Sequence, residues 1–184
     1  MNSKKPFSLR RAIAVGLAIT ASAVTMQAAQ ASDLTVTVTN LTRGTWFTPM
    51  LVTAHPASFK SFTLGSAASV ELQNIAEAGN TDPMQAILPA GSTKSVNPNN
   101  GPLKPGATSL PATLSGGAGT SNSQLTILAM LVPTNDGFMA LNAIDIPTTP
   151  GTYVYEVKAY DSGTEANDEK KAAAGGINQA GMIF

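Results

Sequence analysis

From Leu125 to Val132 the chain is apolar except at Thr126. A strand with one wet face alternates, so an unbroken run of this length marks a central strand covered on both faces. The turn signal Pro133-Thr134-Asn135-Asp136-Gly137 ends it, and Phe138 to Ile144 returns as a second strand. After Thr148-Thr149-Pro150-Gly151 the chain alternates from Thr152 to Tyr160, with Tyr153, Tyr155, Val157 and Ala159 on one face. Upstream, Leu34 to Thr39 alternates apolar residues with threonine, and Met50 to Ala54 is a short strand between Pro49 and Pro56. Strands at this spacing within 184 residues imply one mainly β domain, an antiparallel β-sandwich.

One or two short helices interrupt it. Ser69 is placed to cap a helix whose apolar residues are Val70, Leu72, Ile75 and Ala76, and Gly79 stops it. Pro83 punctuates a further short piece, Met84 to Leu88. Residues 89–123 are rich in Pro, Gly, Ser and Asn. A structureless loop of that length is uncommon in a compact domain, so an edge strand is expected near Lys94 to Val96, with another beginning at Thr113-Leu114.

The N-terminal 31 residues read as an address. Lys4, Lys5, Arg10 and Arg11 precede the uncharged apolar run Ala12–Val24, and Ala29-Gln30-Ala31 offers a signal peptidase the small residues it needs. The run is short for a membrane anchor, which takes about 20 apolar residues. Cleavage before Ser32 leaves a domain over 32–170 and a C-terminal tail over 171–184, with no stable membrane anchor. The formal net charge of zero then dissolves. The exported chain keeps seven basic against 11 acidic residues, and the excess lies after residue 104. Without a basic patch it is no partner for nucleic acid or an anionic membrane. The absence of cysteine excludes disulfides, thiolate metal sites and cysteine nucleophiles.

The acidic excess gathers after two strands, at Asp136 and along Asp161 to Glu169. If the strand between them crosses the sandwich and returns, Asp136 and Asp161 emerge at one end. Glu165, beyond Gly163, folds back towards Asp161. Three carboxylates at close quarters repel unless a cation joins them. Oxygen ligands on loops suit Ca²⁺, whereas Zn²⁺ wants His or Cys, here reduced to His55. On spacing alone, solvated loops that keep the protein soluble stand ahead of a metal site.

Two stretches add to that reading. Met130-Leu131-Val132-Pro133-Thr134-Asn135-Asp136-Gly137-Phe138 and Ala159-Tyr160-Asp161-Ser162-Gly163-Thr164-Glu165-Ala166-Asn167 resemble the spondin N-terminal domain family. Asn40-Leu41-Thr42, the Pro49–His55 segment and Leu72–Asn80 agree, so the resemblance spans residues 33 to about 168. It implies a C2-like β-sandwich with a Ca²⁺ site at one end and a role in extracellular attachment. The implied ligands are Asp136, Asp161, Glu165, where animal members carry an aspartate, and Ser162 through its carbonyl. A further acidic ligand of animal members has no counterpart, since residues 112–124 contain no Asp or Glu. One charge fewer implies weaker binding.

Other chemistry finds little material. His55 lies near a strand end, in a surface or packing position, and Trp46-Phe47 reads as a core anchor. Asp136 and Asp161 are the one carboxylate pair for a hydrolase, yet a glycan cleft wants aromatic lining, and one Trp with nine Phe and Tyr supplies little. The resulting expectation is an exported, periplasmic or secreted Ca²⁺-binding module that recognises an extracellular or cell-surface partner, protein or glycan, and is not an enzyme. A secreted hydrolase using Asp136, Asp161 and Glu165, and a structural surface protein without metal, are the alternatives.

Overall fold

The computed structural model describes residues 32–117 and 119–166. The expected signal segment, 1–31, the end of the acidic loop and the tail, 171–184, lie outside them. Eight strands and two helices follow in chain order: β1 Ser32–Val36, β2 Trp46–Phe47, β3 Leu51–His55, α1 Val70–Ala78, α2 Asp82–Ala86, β4 Thr93–Val96, β5 Ala112–Gly116, β6 Gln124–Val132, β7 Gly137–Asp145 and β8 Lys158–Asp161. They form two antiparallel sheets. One pairs β1 with β5, and the other has the order β4-β3-β6-β7-β8, with β2 added along β6. The expected mainly β sandwich with two short helices is the architecture observed.

The apolar run of β6 has the expected physical cause. Leu125, Ile127, Ala129 and Leu131 face the small sheet, where they meet Val52 and Ala54 of β3, Met139 and Leu141 of β7, and Ala112 and Leu114 of β5. Leu128, on the other face, joins Leu51, Phe138 and Ala140 beneath Leu72, Ile75, Ala76 and Met84 of the helices. The large sheet is therefore sandwiched twice, by strands on one face and helices on the other. Each large apolar side chain buried this way contributes about 1.5–3 kcal/mol.

Helix α1 runs as its sequence signals direct. Ser69, in extended conformation, accepts the Leu72 amide on its hydroxyl, and Gly79 ends the helix at φ 63°. The Gly79 and Asn80 amides return to Ile75 and Asn74 carbonyls at 2.9 and 3.1 Å, which satisfies the orphaned end.

Three expectations need correction. The strand between Asp136 and Asp161 does not cross the sandwich; β7 lies between β6 and β8 in one sheet. The strand expected over 152–160 is paired only from Lys158, and Tyr153, Val154, Tyr155 and Val157 stand in solvent. The reason lies in β7. Leu125 pairs with Ile144 and Ile127 with Leu141, so Asn142 and Ala143 bulge opposite Thr126, with Ala143 at φ 53°. Asn142 then spends its side chain on the Ser61 amide and hydroxyl and on the Phe62 carbonyl, in the loop before α1. Third, Trp46-Phe47 divides: Phe47 is buried in the core while Trp46 is 44% exposed, because β2 turns them to opposite faces.

His55 packs inside. Its Nδ1–H donates to the Pro56 carbonyl at 2.9 Å, since that oxygen can only accept, and its Nε2 accepts from the Thr126 hydroxyl at 2.8 Å. Thr126 in turn accepts the amide of Ala143, so the imidazole supports the bulge.

Candidate metal site

The hairpin between β6 and β7 and the end of β8 meet at one corner of the large sheet. Gly137 is the register partner of Asp161, which places Asp136 beside it. The turn is held by Thr134, whose hydroxyl accepts the Gly137 amide at 3.0 Å. A Cβ on Gly137 would stand 2.6 Å from that hydroxyl, so the close approach requires glycine. Beneath the corner, Phe138 stacks on Tyr160 with ring centroids 5.4 Å apart, and Phe62 meets both edge-on. These rings fix the two strand ends that carry the carboxylates.

Asp136 is 1% exposed, and the loop after β8 wraps around it. Its Oδ2 accepts the amides of Thr164 and Glu165 at 2.9 and 3.1 Å and the Ser162 hydroxyl at 3.3 Å. Its carbonyl accepts the Ser162 amide at 3.2 Å. Thr164, also buried, passes its hydroxyl hydrogen to Ser162 at 2.6 Å, which completes a chain of donors ending on the carboxylate. Asp161 accepts the Gly163 amide at 2.7 Å and so closes its own turn. Asn135 holds the Ala166 carbonyl at 3.0 Å.

The electrostatics of the pair are unbalanced. Burial raises the pKa of Asp136 above the ordinary carboxylate value, and the charge of Asp161 raises it further. The amides of Glu165 and Thr164 and the Ser162 hydroxyl oppose this without cancelling it. At this corner lies an open cleft of ≈ 430 Å³ lined by Leu131, Thr134, Asn135, Asp136, Gly137, Ala159, Tyr160 and Asp161. Tyr160 is the one aromatic in that lining, little for a sugar ring to stack on.

The residues singled out from sequence thus divide. Asp136 and Asp161 are brought side by side. Ser162 reaches Asp136 through its amide and hydroxyl, and Glu165 reaches it through its amide. Among the described residues, no three acidic or histidine side chains gather into a group able to hold a metal. The donor chemistry nonetheless fits a hard cation: paired carboxylates, one destabilised by the other, with Asp136 Oδ1 taking no hydrogen bond from the described residues. Sequence reasoning missed Thr164, whose buried hydroxyl and amide serve the carboxylate. Beyond the Asx turn by which Asp161 accepts the Gly163 amide, nothing in Asp161-Ser162-Gly163-Thr164 marks that role in the sequence. No protein-family model matches the chain, and a search of curated proteins finds no match either.

Proposed function

We propose that the protein is an exported Ca²⁺-binding β-sandwich module, which recognises a protein or glycan partner outside the cell or at its surface and catalyses no reaction. The observation that carries this reading is the adjacent pair Asp136 and Asp161 in an open cleft, with the 161–166 loop wrapped on Asp136 by its amides. The resemblance of the same two segments to spondin N-terminal domains supports it. Asp136 and Asp161 would offer carboxylate oxygens and Ser162 its carbonyl, and Glu165, which meets Asp136 through its amide, would add its carboxylate by turning its side chain to the cation. A bound cation would offset both the burial and the Asp161 charge that raise the pKa of Asp136, and would order the rim against an anionic group of the partner. A catalytic acid is the poorer assignment for Asp136, because one oxygen already holds three donors.

Thermal melting of the purified protein with Ca²⁺, Mg²⁺ or chelator tests the reading. A ligand binding only the folded state adds about 2.7 kcal/mol at 100 times its Kd, so millimolar Ca²⁺ should raise the melting temperature by several degrees. Asp161→Asn should lose that gain while keeping its chelator melting temperature within a few degrees. An unchanged melting temperature in millimolar Ca²⁺ would sink the proposal.

A further inference from the structure

Strand β8 covers only the first part of β7: Lys158 is paired with Ala140, and from there back to Thr152 the chain leaves the sheet. No backbone hydrogen bond ties Thr152–Glu156 to another described residue. The segment is anchored at both ends nevertheless. Tyr153 donates its hydroxyl to the Thr149 carbonyl at 2.9 Å and lays its ring against Gly151, while β8 holds the other end. Between these anchors Val154 is 91% exposed, and Tyr153, Tyr155 and Val157 are also exposed. Natural sheets guard such edges with charges, prolines or bulges. Thr152–Val157 carries one charge, Glu156, and no proline.

The charges nearest this ribbon are self-complementary. Glu156 and Lys158 flank Val157, both are exposed, and neither has an ion pair among the described residues. Two such segments, antiparallel about a two-fold axis at Val157, set Glu156 of each copy opposite Lys158 of the other. Tyr155 then faces Ala159, and Val154 faces Tyr160. Side chains directly opposite in such a pair lie about 4.5–5.5 Å apart at Cβ, within reach of an ion pair. β8 ends its sheet, so the 154–156 stretch of each copy would lie along the outer edge of the other's β8. Every contact recurs under the two-fold, as a closed dimer requires.

We propose that residues 153–160 are a self-association edge through which two copies of this chain join into one continuous sheet. The occupant is a second copy because the acid and the base are spaced to answer each other.

Sedimentation velocity of the purified protein, from low micromolar to near-millimolar concentration and in chelator, tests this independently of any metal. A concentration-dependent dimer is expected. Val154→Asp should leave a monomer with an unchanged circular dichroism spectrum, since Val154 touches nothing in its own chain that its exposure would hide. Glu156→Lys and Lys158→Glu should each weaken the dimer roughly tenfold at low salt, by placing like charges opposite one another. The double variant Glu156→Lys/Lys158→Glu should recover it. A wild-type protein that stays monomeric throughout, a dimer indifferent to Val154→Asp, or a double variant no tighter than the singles overturns the proposal.

Discussion

His55 and Asp136 are buried titratable side chains whose protonation is linked to folding in opposite directions. Desolvation lowers the pKa of His55 below 6.5, and the Pro56 carbonyl only partly opposes this. The folded state therefore binds fewer protons than the unfolded chain just below pH 6.5. Stability from this group is present above that value and is lost as pH falls through the folded pKa. Asp136, raised above 3.8, contributes in the reverse sense: its share is present below that value and lost as pH rises through its folded pKa. His55 is the one histidine of the chain, so a tag-free sample gives a single imidazole titration by NMR. Its midpoint should fall below 6.5, and the urea midpoint should drop between pH 7 and pH 5. In His55→Gln that drop should shrink, although the variant loses stability at pH 7 through the orphaned Thr126 hydroxyl. A titration midpoint at or above 6.5 contradicts the packing described.

Helix α1 and strand β8 show where local signals suffice and where they do not. At the end of α1, Gly79 combines φ 63° with a neighbour that would stand 2.8 Å from an added Cβ, the Cγ2 of Thr48. Gly79→Ala should cost about 2 kcal/mol or more, roughly 1–2 kcal/mol for the left-handed backbone and the rest for displacing Thr48. Gly65→Ala is the matched control, because φ is 76° there but nothing lies within 4 Å. It should cost only the backbone share, and equal losses in urea denaturation would refute the role given to Thr48. Capping and periodicity are local properties, so Ser69, the apolar face and Gly79 could be read directly as a helix. The pairing of Thr152–Val157 was not local. Its alternation is intact, but β7, the strand it would pair with, bulges at Asn142–Ala143, which the sequence around Thr152–Val157 does not show. The corner at Asp136 was legible for a third reason. Two turn-rich segments each follow a strand, and a hairpin partner between them brings their ends together whether or not it crosses the sandwich. Thr164 was not legible as part of that corner, because a hydroxyl amid many threonines carries no mark until burial selects it.

At the scale of the molecule, β3, β6 and β7 belong to two apolar layers at once. Adjacent residues alternate between them: Leu51 and Val52, Leu128 and Ala129, Phe138 and Met139 each send one side chain to the helices and one to the small sheet. A defect under the helices must therefore destabilise strands that the sandwich also needs. Leu72 is fully buried beneath α1, and Leu72→Ala should cost about 2–5 kcal/mol through lost burial and the cavity left behind. The two layers should fail together. Far-ultraviolet circular dichroism at helical wavelengths reports α1 and α2, while the single tryptophan, Trp46, reports β2, where it is paired with Val132 at the end of β6. In Leu72→Ala both urea transitions should move to lower concentration by the same amount and remain superimposed, with the slope unchanged. Were the helices a separate layer resting on a self-sufficient sandwich, the helical signal would fall first and Trp46 would hold its wild-type midpoint. The shared strands argue against that outcome, because it takes both layers to keep every residue of β6 from Leu125 to Leu131 buried. Removing one layer exposes a full face of the central strand to water, at a cost the other layer cannot offset.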